Sequence, residues 1–148
     1  MPVYFLFLLA IVAGLMLPVQ AGLNSELGRV LKSPVYASIV SFVAGLIALL
    51  LYAFATQVPF GNLKNAFHLP WYYWMGGVLG AVYVYGLIVL TPRLGVALTF
   101  GITVAAQMTF SMVMDHYGWL GVPVAPISWL RVLAVLLIIG GVVLLRTS

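Results

Sequence analysis

The sequence predicts an all-α integral membrane protein that crosses the bilayer five times. Three observations lead to this fold class. Hydrophobic residues make up 65% of the chain and charged residues 5%, and the mean hydropathy is +1.22. A soluble domain needs far more polar surface than this. The apolar residues also form runs of the length, about 20 residues, that a helix needs to cross a hydrocarbon core about 30 Å thick. Finally, almost all the charged residues fall between the runs.

Turn-forming residues and charges separate the five predicted spans. The first run contains Pro18 and is followed by a polar, charged stretch that begins near Asn24. The second begins at Ser33-Pro34, where Ser33 can cap the helix and proline occupies its favoured first position. Although Val19-Gln20-Ala21 resembles a signal-peptide cleavage site, the first run has no basic residues before it, so we expect a retained span. The predicted single membrane domain, residues 1–148, has spans at about residues 3–21, 35–56, 71–90, 94–114 and 128–145.

The distribution of basic residues predicts a topology. With five spans, the two termini lie on opposite faces of the membrane. The positive-inside rule compares the lysines and arginines on each face. The face of the C-terminus carries the larger set, and the face of the N-terminus the smaller: Arg29, Lys32, Arg93 and Arg146 against Lys64 and Arg131. We therefore expect the C-terminus in the cytoplasm and the N-terminus outside, but a difference of two residues also permits dual topology.

Composition argues against several classes of function. The chain has no cysteine, which removes thiolate metal sites, Fe–S clusters and thiol nucleophiles. The charges are scattered singly, so the sequence offers no basic patch for nucleic acid. His68 and His116, without further ligands, are a poor metal set. No nucleotide-binding motif and no nucleophile–base pair is evident. We expect no cofactor, no nucleic-acid partner and no enzymatic activity.

Polar residues in the first and fourth spans are the main candidates for solute contact. Gln20 and Asn24 lie one helical turn apart, just after Pro18. The fourth span carries a small and polar residue at every fourth position: Gly95, Thr99, Thr103, Gln107, Ser111 and Asp115. An unsatisfied amide in hydrocarbon costs several kcal/mol, so this stripe should face protein or a watery cavity. We predict that Gln20, Asn24, Thr103 and Gln107 contact the solute, with helix packing as the alternative.

Two further groups of residues have candidate roles. Tyr83 and Tyr85 lie too deep in the third span for an interfacial aromatic belt and could offer a hydroxyl or a ring face to a solute. Glu26, Asp115 and His116 are the candidates for proton coupling. Their alternative roles are structural: Glu26 can pair with Arg29 or Lys32, and the other two can cap a helix end.

Pro18 marks either a simple kink or a broken helix with a free carbonyl near Gly14.

Several segments together resemble a known family. They are Gln20-Ala21-Gly22-Leu23-Asn24-Ser25-Glu26-Leu27-Gly28-Arg29, Ser33-Pro34, Ser41-Phe42-Val43-Ala44-Gly45, Gly76-Gly77-Val78-Leu79-Gly80-Ala81, Pro92-Arg93-Leu94-Gly95, Gln107 and Asp115-His116-Tyr117-Gly118. In order and spacing they resemble the YdcZ-type five-helix family of the drug/metabolite transporter superfamily, over essentially the whole chain. The resemblance implies a bacterial inner-membrane protein that is half of an inverted-repeat ten-helix transporter and works as a dimer.

The odd number of spans has a consequence for assembly. An inverted repeat made from two five-helix chains requires the chains to insert in opposite orientations. We therefore expect an antiparallel homodimer, or a heterodimer with an inverted paralogue. At 1.5 Å per residue, Gln20 lies about 5 Å from the face of the C-terminus and Gln107 about 10 Å from the other face. Inverting one chain would bring the two to similar depths.

The expected function is secondary transport. The leading hypothesis is a carrier that moves a small neutral or cationic organic solute across the lipid bilayer by alternating access. The alternatives are a narrow dimeric channel, and a membrane scaffold or lipid-binding subunit that transports nothing.

Overall fold

The computed structural model describes residues 2–147 and, within that range, contains helices and no β-strand. The five α-helices are α1 (Val3–Val30), α2 (Pro34–Ala55), α3 (Met75–Leu94), α4 (Val96–Tyr117) and α5 (Trp129–Thr147). Short 3-10 segments occupy Phe60–His68, Trp71–Trp74 and Trp119–Gly121. Each α-helix, with α3 counted from Trp71, is long and apolar enough to cross a membrane. The predicted all-helical membrane fold is therefore confirmed.

Local sequence signals explain where the helices begin and end. The Ser33 hydroxyl accepts a hydrogen bond from the Tyr36 backbone N–H at 3.3 Å, and Pro34 occupies the first position of α2. Gly95 separates α3 from α4 with a φ of +78°, and Gly118 ends α4 with a φ of +62°. Both angles favour glycine because a Cβ is strained in that region of backbone space.

Helix α1 is longer than the apolar run that predicted it. It contains 28 residues, about 42 Å at the helical rise, and continues from Ala21 through the charged positions Glu26 and Arg29. It also continues through Pro18 without interruption, so the broken helix, one of the two alternatives for this proline, is not found. The helix persists because backbone hydrogen bonds do not depend on apolar side chains.

The structure divides into two compact units, and the first, Met1–Pro92, contains α1, α2 and α3. Its buried cluster consists of Ala37, Val84 and Ile88, with Leu27 and Tyr83 packed against it. Helix α1 approaches closely at Gly28, where a methyl carbon would lie 2.9 Å from the Ile88 Cγ2 atom. The glycine is therefore required for close packing in this unit.

The second unit, Arg93–Ser148, consists of α4, α5 and the segment between them. Helices α4 and α5 pack closely at Gly101, where a methyl carbon would lie 3.1 Å from the Val142 Cγ2 atom. The connecting segment is attached to α4 by a hydrogen bond from the Ala125 N–H to the Asp115 backbone oxygen, at 2.9 Å. The end of α4 therefore anchors its own connection to α5.

Candidate functional site

A groove lies between α1 and α2 in the first unit. Its volume is about 800 Å³, and its lining extends from Val12 to Leu27 on α1 and from Val40 to Ala44 on α2. Three lining side chains are polar: Gln20, Asn24 and Ser41. The groove is therefore an apolar site with a few polar groups, as small-molecule sites commonly are.

A second cavity adjoins the groove through shared residues. It has a volume of about 380 Å³ and extends past Phe42 on α2 to Val84 on α3. Gln20 and Ser41 line both spaces. Gln20 and Ser41 therefore form part of the wall between the two spaces.

Asn24 has a structural partner in the same groove. Its side-chain Nδ2 donates a hydrogen bond to the Ser41 Oγ at 3.0 Å, which joins α1 to α2. Asn24 is only 7% exposed. This hydrogen bond satisfies one donor of the Asn24 side-chain amide, and the Ser41 hydroxyl keeps its own proton available for donation.

Gln20 and Gln107 lie toward the middle of their helices, and both side-chain amides are unpartnered in the part of the chain that the structure describes. Both are exposed, and neither side-chain amide hydrogen bonds to any other residue in the range 2–147. Each lies ten residues before the end of its helix, because α1 ends at Val30 and α4 ends at Tyr117. That spacing corresponds to about 15 Å along each helix.

The helix ends give a second measure of position, which differs from the depths estimated from the apolar runs. The depths of about 5 Å for Gln20 and 10 Å for Gln107 were counted to the ends of the apolar runs, whereas α1 and α4 continue past those runs. Measured along its own helix, each amide lies about half a hydrocarbon thickness from the helix end. A helix end is not a membrane face, because α1 continues through the charged positions Glu26 and Arg29, so both depths in the bilayer stay predictions.

The polar stripe of α4 does not form a single face. Successive residues lie about 100° apart around a helix, so each four-residue step turns the stripe by about 40°. Over the four steps from Thr99 to Asp115, the direction of the side chains changes by about 160°. Thr99 is completely buried and donates to the Gly95 backbone oxygen at 2.7 Å. Thr103 is half-buried and donates to the Phe100 oxygen at 3.2 Å. Among the predicted α4 contacts, only the Gln107 side chain is left without a partner on its own helix.

The two candidate tyrosines face different directions. Tyr83 is half-buried and packs against the buried cluster of the first unit. Tyr85 lies two residues further, about 200° around the helix, and is 43% exposed. Neither tyrosine lines the groove or the adjoining cavity.

The three candidate coupling residues all have partners. Glu26 pairs with Arg29 on the exposed side of α1, with Arg29 Nε 2.8 Å from the Glu26 Oε2. Of the two partners considered for this carboxylate, the structure contains Arg29. The Asp115 Oδ2 accepts from the Arg131 Nη1 at 3.4 Å. The His116 Nδ1 accepts from the Ile127 backbone N–H at 3.2 Å.

Two residues of these sites were not singled out from the sequence. Ser41 belongs to a small-residue repeat with Ala37 and Gly45, a pattern that usually indicates packing, so its hydrogen bond to α1 is not evident. Arg131 lies in the first turn of α5, and its guanidinium also donates to the Ala125 oxygen at 3.1 Å. Arg131 lies 16 residues after Asp115 and on a different helix, so the pair does not follow the three- or four-residue spacing of neighbours on one helix.

Five apolar helices, with their charges near the helix ends and an apolar groove that contains a few polar groups, define a multi-pass α-helical membrane protein. The chain belongs to the family described as "Putative inner membrane exporter, YdcZ", whose family model matches residues 5–144. It is thus a multi-pass inner-membrane protein with a transporter role, and the predicted family is confirmed. Searches of curated proteins and of solved structures found no match to the chain.

Proposed function

We propose that the protein is a secondary transporter that moves a small organic solute by alternating access, as a dimer of oppositely inserted chains. The observation that carries this proposal is the pair of exposed amides, Gln20 and Gln107, that lack hydrogen-bond partners within the described chain. The proposed solute path lies where the Gln20 face of one chain meets the Gln107 face of another.

The cost of an unsatisfied amide supports a functional interpretation. In hydrocarbon such a group costs several kcal/mol, whereas Leu or Val at the same position would cost nothing. A partner chain, water in a transport path, or a solute would remove that cost. The groove beside Gln20, at about 800 Å³, lies within the volume range of small-molecule sites.

The antiparallel arrangement rests on the odd span count and the charge distribution. Two five-helix chains form an inverted repeat only when their insertion is opposite. The excess of two basic residues on the face of the C-terminus favours a cytoplasmic C-terminus but is small enough to permit the reverse. We propose a homodimer, with an inverted paralogue as the alternative partner.

Cysteine cross-linking tests the location of the path. The chain has no cysteine, so single substitutions need no prior engineering. Chains carrying Gln20→Cys and chains carrying Gln107→Cys, with different tags, are co-expressed and treated in native membranes with a short thiol cross-linker. We expect a heterotypic cross-linked product. Leu137→Cys, at mid-helix in α5, replaces Gln107→Cys in the control and should give far less product. Equal yields would refute the proposed path.

Topology mapping tests the antiparallel arrangement separately. A C-terminal tag should be accessible from outside the membrane on about half of the chains, because each dimer contains one chain of each orientation. Exclusive labelling from one side would exclude an antiparallel homodimer. Co-expression with an inverted paralogue would then be required to produce cross-linked product.

Transport assays distinguish the carrier from the other hypotheses. Proteoliposomes should show saturable uptake and counterflow, whereas a channel would show ionic currents or flux without counterflow. Gln107→Leu should abolish uptake while leaving helix content and folding intact, because it removes an unsatisfied amide rather than a packed group. In a protein that serves only as a scaffold, that substitution would leave function unchanged.

We also propose that the chain catalyses no reaction, because an acid–base pair is not present beside the groove.

A further inference from the structure

The groove at Gln20 has a chemical character that narrows the class of solute. Every residue that lines it is uncharged, and so is every residue that lines the adjoining cavity. The nearest carboxylate along α1, Glu26, is paired with Arg29 on the exposed side of the helix and does not line the groove. A cation that entered the groove would therefore have no counter-charge.

A second chain would not supply the missing charge at that depth. The sequence has no Asp, Glu, Lys or Arg in residues 1–25, 33–63, 65–92, 94–114, 116–130 and 132–145. The remaining carboxylate, Asp115, lies near the end of α4 and is paired with Arg131. Whichever helices complete the path, its middle contains only uncharged groups. A charged solute would lose its hydration there without an ion pair in return.

Aromatic rings do not replace the missing charge in this groove. A cation–π site needs a Tyr, Trp or Phe ring face within about 6 Å of the cation. Tyr83 is packed against the buried cluster, and neither it nor Tyr85 lines the groove. The groove is lined instead by aliphatic residues and Met16, together with two amides and one hydroxyl.

The polar groups that are present suit a neutral solute. The Gln20 amide offers one acceptor and two donors with no partner among residues 2–147, and the Ser41 hydroxyl has a proton to donate after accepting from Asn24. We propose that this groove selects uncharged amphipathic solutes that carry a hydroxyl or amide group, and discriminates against cations of the same shape. The inference rests on the proposed transport function, and it specifies the substrate class of that site.

A pair of probes of equal shape provides the test. 4-tert-Butylphenol and (4-hydroxyphenyl)trimethylammonium share a hydroxyl and a bulky end, and differ mainly in charge. Their binding to the protein in nanodiscs is measured by equilibrium dialysis, with binding to empty nanodiscs subtracted. We expect the neutral probe to bind at least about tenfold more tightly than the cation, because the desolvation of an unpaired charge exceeds that of a hydroxyl.

Substitutions at Gln20 test whether the probes bind in this groove. Gln20→Leu should weaken binding of the neutral probe severalfold through loss of hydrogen bonds. Gln20→Glu, measured at mildly alkaline pH, should reverse the preference in favour of the cation. Thr109→Val is the matched control: its hydroxyl is bonded to the Ala105 oxygen of its own helix and does not line the groove, so the variant should bind like the parent.

The outcomes separate this inference from the proposed function. Equal or tighter binding of the cation by the parent protein would overturn the inference, and so would an absence of specific binding by either probe. Neutral-probe binding that Gln20→Leu leaves unchanged would overturn the assignment to this groove. The parent comparison does not depend on a variant folding. Failure of the proposed transport function would appear independently, as missing cross-links between Gln20→Cys and Gln107→Cys and as missing counterflow.

Discussion

Gly28→Ala is predicted to weaken the packing of α1 against the rest of the first unit. The added methyl carbon would lie 2.9 Å from the Ile88 Cγ2, 3.7 Å from the Ala37 Cβ and 3.8 Å from the Pro34 Cα. Ile88 is β-branched and stiff in a helix, so its methyl group cannot easily rotate away. Contacts with α2 also oppose a sideways shift of α1.

The expected magnitude follows from two opposing effects. Replacing glycine by alanine inside a helix gains up to about 1 kcal/mol of intrinsic stability. Overpacking a closely packed contact typically costs about 1–3 kcal/mol. Gly22→Ala is the matched control on the same helix, because nothing lies within 4 Å of the corresponding methyl position. The free energy of unfolding of Gly28→Ala should therefore fall about 1–3 kcal/mol below that of Gly22→Ala.

The assay is unfolding in detergent, followed by tryptophan fluorescence and circular dichroism. A double-mutant cycle with Ile88→Ala, which removes the opposing methyl group, isolates the clash. In that background, Gly28→Ala should behave like Gly22→Ala. Equal stability of Gly28→Ala and Gly22→Ala in the parent background would refute the proposed close contact between α1 and α3.

Three further predictions concern the polar contacts within each unit. Asn24→Ala should lower the free energy of unfolding by about 1 kcal/mol, and less so when Ser41 is already alanine, because the two share one hydrogen bond. Arg131→Met should speed amide exchange in residues 122–128 by severalfold at most, because its pair with Asp115 is partly exposed and is worth about 1 kcal/mol. His116→Phe should expose the backbone N–H of the same segment to exchange, whereas His116→Asn, which keeps a side-chain acceptor, should protect it.

Each of these predictions has a control and a contrary result. Thr109→Val loses a hydroxyl that bonds only its own helix and should change stability less than Asn24→Ala. Additive effects of the Asn24 and Ser41 substitutions would contradict a shared bond. Arg146→Met, in the last turn of α5, should leave exchange in 122–128 unchanged. Equal exchange in the Phe and Asn variants of His116 would show that its ring nitrogen does not hold the segment.

The helices themselves, and the bounds of α2 to within one residue, could be predicted from the sequence, but the end of α1 could not. Hydropathy identifies the apolar runs because transfer into hydrocarbon depends on side chains. Helix ends depend instead on backbone groups and caps, so α1 continues through Pro18 and past Glu26 to Val30. The depth of Gln20 in the bilayer stays a prediction.

The candidate site could be predicted only in part. Gln20 was correctly placed on a helix, but its position between two cavities depends on where α2 and α3 pack against α1. The four-residue stripe of α4 combined residues that the helical period turns to different sides, so Thr99 is buried while Gln107 is exposed. Ser41 and Arg131 acquire their partners only through contacts between helices.

The sequence alone determined the fold class, the number of helices and the absence of charge from the middle of every span, because each depends on composition along the chain. The tertiary structure decided which polar groups satisfy one another. Asn24 hydrogen bonds to Ser41, and Asp115 to Arg131, because helix packing brings residues that are distant in sequence within hydrogen-bonding distance. The Gln20 and Gln107 side chains find no such partner within residues 2–147, and they share this condition with the buried hydroxyls of Ser25 and Thr91.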